Sequence, residues 1–162
     1  MTLHTNLAPA PQQGFMGSYL EMLSLVERLH RLLLDVIKDE FERVGILEIN
    51  AVQALLLFNI GENEVTADEL KSRGYYQGSN VSYNLKKLVD NGYMHHQRCA
   101  IDRRSVRVRL TQKGRDVRQL IARLFARHAD GLQDKGVVGL DEIAHTLKRL
   151  ERYCGEQIRY IY

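Results

Sequence analysis

Residues 99–114 read CAIDRRSVRVRLTQKG, and the second half of this run alternates. Val106, Val108 and Leu110 fall on one side of an extended chain, and Arg107 and Arg109 fall on the other. Period two is the mark of a strand with one face on a core and the other in solvent. Four arginines, Arg103, Arg104, Arg107 and Arg109, lie within seven residues beside a single acid, Asp102. The alternation therefore predicts a structural strand that carries its positive charge outward.

That charge belongs to a wider asymmetry. From Arg73 to Arg118 there are eleven Lys or Arg against three acids, Asp90, Asp102 and Asp116, a balance of +8. The whole chain carries only +3, so everything outside this segment sums to −5. A basic patch on an otherwise acidic molecule is the electrostatic footprint of nucleic-acid binding. A solvated charged face accounts for single residues but not for their concentration.

Bulk properties bound the remaining options. A chain of 162 residues is most simply one domain with a real core, and 44% apolar and 27% charged residues are ordinary for a soluble protein. Two cysteines, Cys99 and Cys154, are too few for a disulfide framework. The start, MTLHTNLAPAPQQG, lacks the basic and apolar regions of a secretory signal, and the longest unbroken apolar run is only Ala54 to Phe58. The expectation is a cytoplasmic protein that does not engage a membrane.

Both prolines, Pro9 and Pro11, lie in residues 1–14, which read as a flexible tail. From about Phe15 to Val44, Met22, Leu25, Leu29, Leu32, Leu33, Val36, Ile37 and Phe41 recur at helical spacing, ended by Gly45. Such a length implies packing against something besides the helix's own domain. A nearly all-apolar helix, about Glu48 to Ile60, should be buried. Thr66 followed by Glu69 is a capping box opening a short third helix. Ser79 is placed to cap a fourth helix running to Asn91, with Gly92 where a glycine terminator belongs. Within it Val81, Leu85, Leu88 and Val89 form an apolar face, opposite Ser79, Asn80, Tyr83, Lys87 and Asp90, with Lys86 on the flank. Two short helices of this kind form a helix-turn-helix pattern. The runs YMHHQR and SVRVRL then make a hairpin, Thr111 caps a long helix bearing Val117, Leu120, Ile121, Leu124 and Phe125, and Gly136 to Gly139 break it. The last helix, from Leu140 to about Tyr160, carries Ile143, Leu147, Leu150, Cys154, Ile158 and Ile161. The predicted order is α-α-α-α-β-β-α-α, a mainly α fold with a minor β part.

At this point IDRRSVRVRLTQKG resembles the wing of the MarR family of bacterial transcription regulators, through Asp102, Arg104, Val108, Leu110, Thr111 and Gly114. The preceding SNVSYNLKKLVDNGYM is similar to that family's recognition helix, with Leu88 four residues before Gly92. The likeness covers about residues 15 to 160. It implies a winged helix-turn-helix over residues 46–110, flanked by dimerisation helices over 15–45 and 111–162. It also implies that Asp102 holds Arg104 by an ion pair, that the chain is a homodimer, and that a small-molecule effector tunes it. Tyr83 stands where many relatives carry a basic residue, and the wing tip lacks the proline or glycine often found there.

The residues themselves suggest how DNA would be held. Asn80 can pair with an adenine edge, and Ser79, Ser82 and Tyr83 can bond base edges or phosphates. Lys86 and Lys87 suit phosphates, which set position but not sequence. Arg103 and Arg104, near the tip, suit a minor groove, and Arg107 and Arg109 suit phosphates. For Tyr83 the competing reading is a ring packed on the neighbouring helix. The resulting expectation is a sequence-specific regulator of a pseudopalindromic double-stranded operator, acting as a repressor.

Other signals carry less. His95, His96 and Cys99 spell H-H-x-x-C, but adjacent strand residues point to opposite faces, so no metal site is expected. Cys99 among arginines suits redox sensing, which stands as an alternative, and Cys154 reads as a small buried hydrophobe. His30, His128 and His145, on helices that could line an effector pocket, read more simply as surface helix residues and have no motif to assign them. No cofactor is implied. No phosphate-cradling glycine loop, nucleophile motif or carboxylate pair points to an enzyme. The rival from another class is a sequence-tolerant architectural DNA-binding protein.

Overall fold

The computed structural model describes residues 14–72, 78–98, 100–101 and 106–159. The expected tail thus lies outside the described residues, except Gly14. The chain forms two compact units, Met1–Ile121 and Ala122–Tyr162.

In the first unit, α1 spans Phe15–Val44, as its spacing predicts, and ends on Gly45 in the left-handed region at φ 78°. Its burial is uneven. Ile37, Glu40 and Phe41 are buried near the C-terminal end, whereas Leu20, Leu25, Leu29 and Leu32 of the same helix are exposed. Buried Glu40 is matched by a two-pronged bond from Arg43, at 3.0 and 2.8 Å.

α2 covers Ala51–Ile60, starting three residues later than expected. The reason is a capping box not anticipated from the sequence: Asn50 Oδ1 accepts the Gln53 N–H at 2.8 Å, and Gln53 Oε1 accepts the Asn50 N–H at 3.0 Å. The box predicted at the next helix is present. Glu69 N–H donates to Thr66 Oγ1 at 3.1 Å and Thr66 N–H to the Glu69 carboxylate at 2.9 Å, opening α3 (Ala67–Ser72).

Thr66 also belongs to a strand that the two-residue pattern could not announce, β1 (Val65–Thr66). α4 spans Gly78–Asp90, so Ser79 lies inside the first turn rather than at the cap. Gly78 is already part of the helix. Gly92, at φ 79°, closes the helix, with the Tyr93 N–H bonded to the Leu88 carbonyl at 2.9 Å.

The hairpin is β2 (Met94–Arg98) and β3 (Val106–Leu110), and the antiparallel sheet runs β1-β3-β2. The fold is therefore the predicted mainly α winged helix with one further strand. Val65 pairs with Val108, and both are buried. His95 pairs with Arg109 and Gln97 with Arg107, and all four are exposed. The alternation read in the opening stretch is realised: Val108 and Leu110 join a core of Leu56, Leu57, Leu70, Val81 and Leu88, with Val106 half-buried.

Thr111 caps α5 (Gln112–Asp134), accepting the Gly114 N–H at 3.1 Å. Val117 and Ile121 are the α5 residues of the first unit whose apolar side chains are buried. In the second unit, the end of α5 turns through Gly136 and Gly139, both at positive φ, into α6 (Leu140–Arg159). The apolar stripe of α6 is exposed, Ile143 by 54% and Ile158 by 61%. Cys154, on the same stripe, is exposed rather than buried, because the stripe it belongs to is open. No described helix is long and apolar enough to cross a membrane.

Candidate nucleic-acid interface

α4 is anchored by what it buries. Val81, Leu85 and Leu88 enter the core, and between them Asn84 is buried and accepts a hydrogen bond from Gln53 Nε2 at 3.2 Å. A polar pair inside an apolar contact fixes the angle between α2 and α4 more narrowly than interchangeable apolar surfaces do. Sequence reading missed this pair, although Asn84 interrupts an otherwise apolar face.

The opposite face is open. Asn80, Ser82, Tyr83, Lys86 and Lys87 are all exposed on α4. Tyr83 is 59% exposed, and the Lys87 ammonium sits 5.8 Å from its ring centre. The ring is thus largely open to solvent. Lys86 is held 2.8 Å from Asp90, one turn along. That bond lowers the pKa of Asp90 and raises that of Lys86. The side chain of Ser79 lies outside the described residues.

On the sheet, Arg107 and Arg109 project to solvent as predicted. They line an open polar cleft of about 180 Å³ with Glu64, His95, His96 and Gln97. Arg107 Nη1 is 3.6 Å from Glu64 Oε2. Asp102, Arg103 and Arg104 of the wing tip, and Cys99, lie outside the described residues. Ile101, just before them, is 97% exposed. Among the described residues no group of three or more His, Cys, Asp or Glu is arranged to hold a metal ion.

The basic segment is less unbalanced in space than along the chain. Lys113 bonds Glu48 at 2.8 Å, Arg118 bonds Glu62 at 3.1 Å, and Arg107 faces Glu64. All three carboxylates come from residues upstream of the segment, so a count confined to it could not include them. Arg115 turns back to the end of β3, bonding the Leu110 carbonyl at 3.3 Å. Within the described part of this segment the exposed basic side chains are Lys86 and Lys87 on α4, Arg98, Arg107 and Arg109 on the hairpin, and Lys113 at the start of α5.

A polar cluster at the base of the wing was also invisible from sequence. Tyr93 Oη donates to Glu48 Oε2 at 3.0 Å, and Lys113 Nζ reaches the same oxygen, the Asn91 carbonyl at 3.0 Å and the face of the Tyr93 ring at 4.3 Å. It ties the loop after α1 to the end of α4 and the start of α5. The hydrogen bond from Lys113, then that from Tyr93, holds the Glu48 carboxyl below the usual carboxylate range. Burial, then the Glu48 bond, pushes the Tyr93 phenol up.

A second cavity, an open groove of about 450 Å³, runs between the end of α1 and the start of α2, lined in part by Leu34, Phe41, Leu47, Ile49 and Val52.

Comparisons with known proteins agree with this geometry. A family described as a winged helix DNA-binding domain matches residues 49–114. The exopolysaccharide II synthesis transcriptional activator ExpG of Rhizobium meliloti (strain 1021) is 36% identical over 147 residues, which span 88% of this chain and 75% of that protein. Among solved structures, a MarR transcriptional regulator from Methanosarcina mazei Go1 aligns with TM-score 0.70 at 23% identity, covering 86% of this chain and 99% of the other. Streptococcus pneumoniae FabT, in complex with DNA, aligns with TM-score 0.66 at 21% identity over 86% and 99%. These two structural likenesses speak to the fold.

Proposed function

The chain belongs to the MarR family of winged helix-turn-helix transcription regulators, and from that premise we propose that it reads a pseudopalindromic double-stranded operator as a homodimer. A DNA-binding transcription regulator, and not an enzyme, is what the family makes it. The observation that carries the finer reading is the face of α4. Asn80, Tyr83 and Lys87 stand exposed over a buried Val81, Leu85 and Leu88, so the residue types that can bond bases and phosphates are the ones turned outward. Arg107 and Arg109, on the adjoining hairpin, extend the basic surface towards the backbone.

The dimer reading rests on surfaces that one chain leaves uncovered. The N-terminal half of α1 exposes Phe15, Leu20 and Leu29, and α6 exposes Leu140, Ile143 and Ile158. Apolar stripes of this extent are characteristic of association surfaces. A two-fold dimer presents two α4 helices to half-sites about 10–10.5 bp apart or a multiple of that.

Control by a small molecule needs only a differential affinity for two spacings of those helices, about 1–3 kcal/mol of coupling. The groove between α1 and α2, apolar in most of its lining with Asp35, Lys38, Glu42 and Asn50 among it, has space for one small molecule and is where such an effector would be sought. Repression by blocking polymerase is the simplest output for such a protein. Activation is the second reading, favoured by the name its 36% identical relative carries. In vitro transcription from a promoter bearing the preferred site separates them by the sign of the response.

The founding test is selection from a random duplex pool by the purified protein at about 150 mM salt. An enriched inverted repeat with half-sites about one helical turn apart supports the reading. Salt-sensitive binding without enrichment would favour an architectural protein instead.

A further inference from the structure

We propose that Glu64 is an internal competitor for DNA phosphate at Arg107, so that this arginine binds the backbone only by displacing a carboxylate of its own chain. The inference rests on the DNA-binding reading above and adds a residue that limits it.

Glu64 immediately precedes β1, where Val65 pairs with Val108 and Thr66 with Arg107. Neighbouring residues of an extended chain alternate in side. With Val65 buried, Glu64 falls on the solvent side with Arg107, whose Nη1 lies 3.6 Å from its Oε2. Both side chains are open to water, Arg107 by 52% and Glu64 by 40%. Arg109 lines the same cleft, as do His95, His96 and Gln97. A carboxylate set in a cleft with two guanidinium groups occupies the place a phosphate would take, with the same sign of charge and the same acceptor chemistry.

The separation shows that the pair is not a structural clamp. Charge-assisted N–H···O bonds run at about 2.7–2.9 Å. Asp90 with Lys86 and Glu48 with Lys113 sit at 2.8 Å, and Glu62 with Arg118 at 3.1 Å. Glu64 is the loosest of the four carboxylates. It attracts Arg107 without a hydrogen bond, so a phosphate can take the guanidinium away. Once it has, the Glu64 charge remains beside that phosphate and repels it. Both effects lower affinity by a similar amount on every sequence, because phosphate contacts carry no base information. Glu64 thus sets how tightly and how salt-dependently the protein holds DNA, and leaves its preference among sites unchanged.

The test is fluorescence anisotropy of the full chain with a selected and a scrambled duplex, from about 50 to 300 mM salt. Wild type, Glu64→Gln, Arg107→Ala and the double variant are compared, with melting curves to verify folding; both side chains are exposed, and all four should melt alike. Glu64→Gln should tighten binding to both duplexes by about two- to fivefold, the range an exposed ion pair allows. The salt dependence should steepen by up to about one phosphate equivalent. In the Arg107→Ala background the gain should largely vanish. A Glu64→Gln that leaves affinity unchanged overturns the proposal, as does one that weakens binding, which would make Glu64 a positioning residue for Arg107. So does a gain that survives intact without Arg107, which would be a long-range charge effect. Failure of the underlying reading looks different: Arg107→Ala would then bind like wild type, or no duplex would bind at all, and the proposal would fall with it.

Discussion

Gly114 lies directly beneath the carbonyl of Tyr93: a β-carbon at 114 would come 2.2 Å from that oxygen and 3.4 Å from the Leu110 β-carbon. The same carbonyl accepts the Thr111 N–H at 3.0 Å, while Thr111 Oγ1 donates to the Gly92 carbonyl at 2.7 Å. The turn that ends α4 and the first turn of α5 are thus stitched together, and only a residue without a side chain fits the seam. Gly114→Ala forces backbone to move, so it should destabilise the fold by about 1–3 kcal/mol or more. Chemical denaturation reads this directly, and an unchanged midpoint would show that the seam is slack.

The Glu48–Tyr93–Lys113 cluster predicts opposite effects at the two ends of the pH scale. Glu48 is lowered by its bonds from Lys113 and Tyr93, so its contribution is present above the ordinary carboxylate pKa, near 4.3, and is lost as pH falls through the folded value. Lys113, raised chiefly by the Glu48 bond, and Tyr93, raised by burial and then by Glu48, behave conversely. Their contribution is present below about pH 10 and fades as pH rises through the folded values. In melting curves across pH, Glu48→Gln should lie below wild type at neutrality and converge with it in acid. Curves that stay parallel down to about pH 3 would remove Glu48 from the acid limb.

Much of the fold was legible because it is written in local chemistry. The period of Val106, Val108 and Leu110 needs only neighbours two residues away, and the Thr66–Glu69 and Thr111 caps need only three. What was not legible depends on partners far along the chain. β1 is two residues, too short for any period, and becomes a strand only because Val65 finds Val108. The carboxylates of Glu48, Glu62 and Glu64 temper a basic segment they do not belong to. The outward face of α4 could be read because a helix converts spacing into sides. What that face would bond could not, since any phosphates and bases belong to another molecule.

Asn84 and Gln53 supply a prediction about how α4 is aimed. Asn84→Ala leaves the Gln53 amide without its partner inside the core, which should cost about 1–3 kcal/mol. Replacing Gln53 as well should add less than its separate cost, with a coupling of about 0.5 kcal/mol or more. Gln53 also closes the α2 capping box, so Gln53→Ala alone should be the costlier change. A fully additive double variant would mean that the bond does not join the two helices energetically.

The exposed face of α4 makes separable predictions for base reading and phosphate holding. Asn80 carries both a donor and an acceptor, the pair an adenine edge offers in the major groove. Its loss should fall on the preferred operator, where Asn80→Ala is expected to cost about 1–3 kcal/mol, and should scarcely touch a scrambled duplex. Lys87 carries a point charge on a flexible stem beside Tyr83, suited to a phosphate on any sequence. Lys87→Ala should weaken both duplexes alike and reduce the salt slope by about one. The two variants therefore differ in kind, and binding curves on both duplexes at two salt concentrations distinguish them. Equal losses on both duplexes for Asn80→Ala would move that residue from reading bases to holding the backbone. A loss confined to the operator for Lys87→Ala would move Lys87 the other way, to a guanine edge, where a lysine can also read sequence.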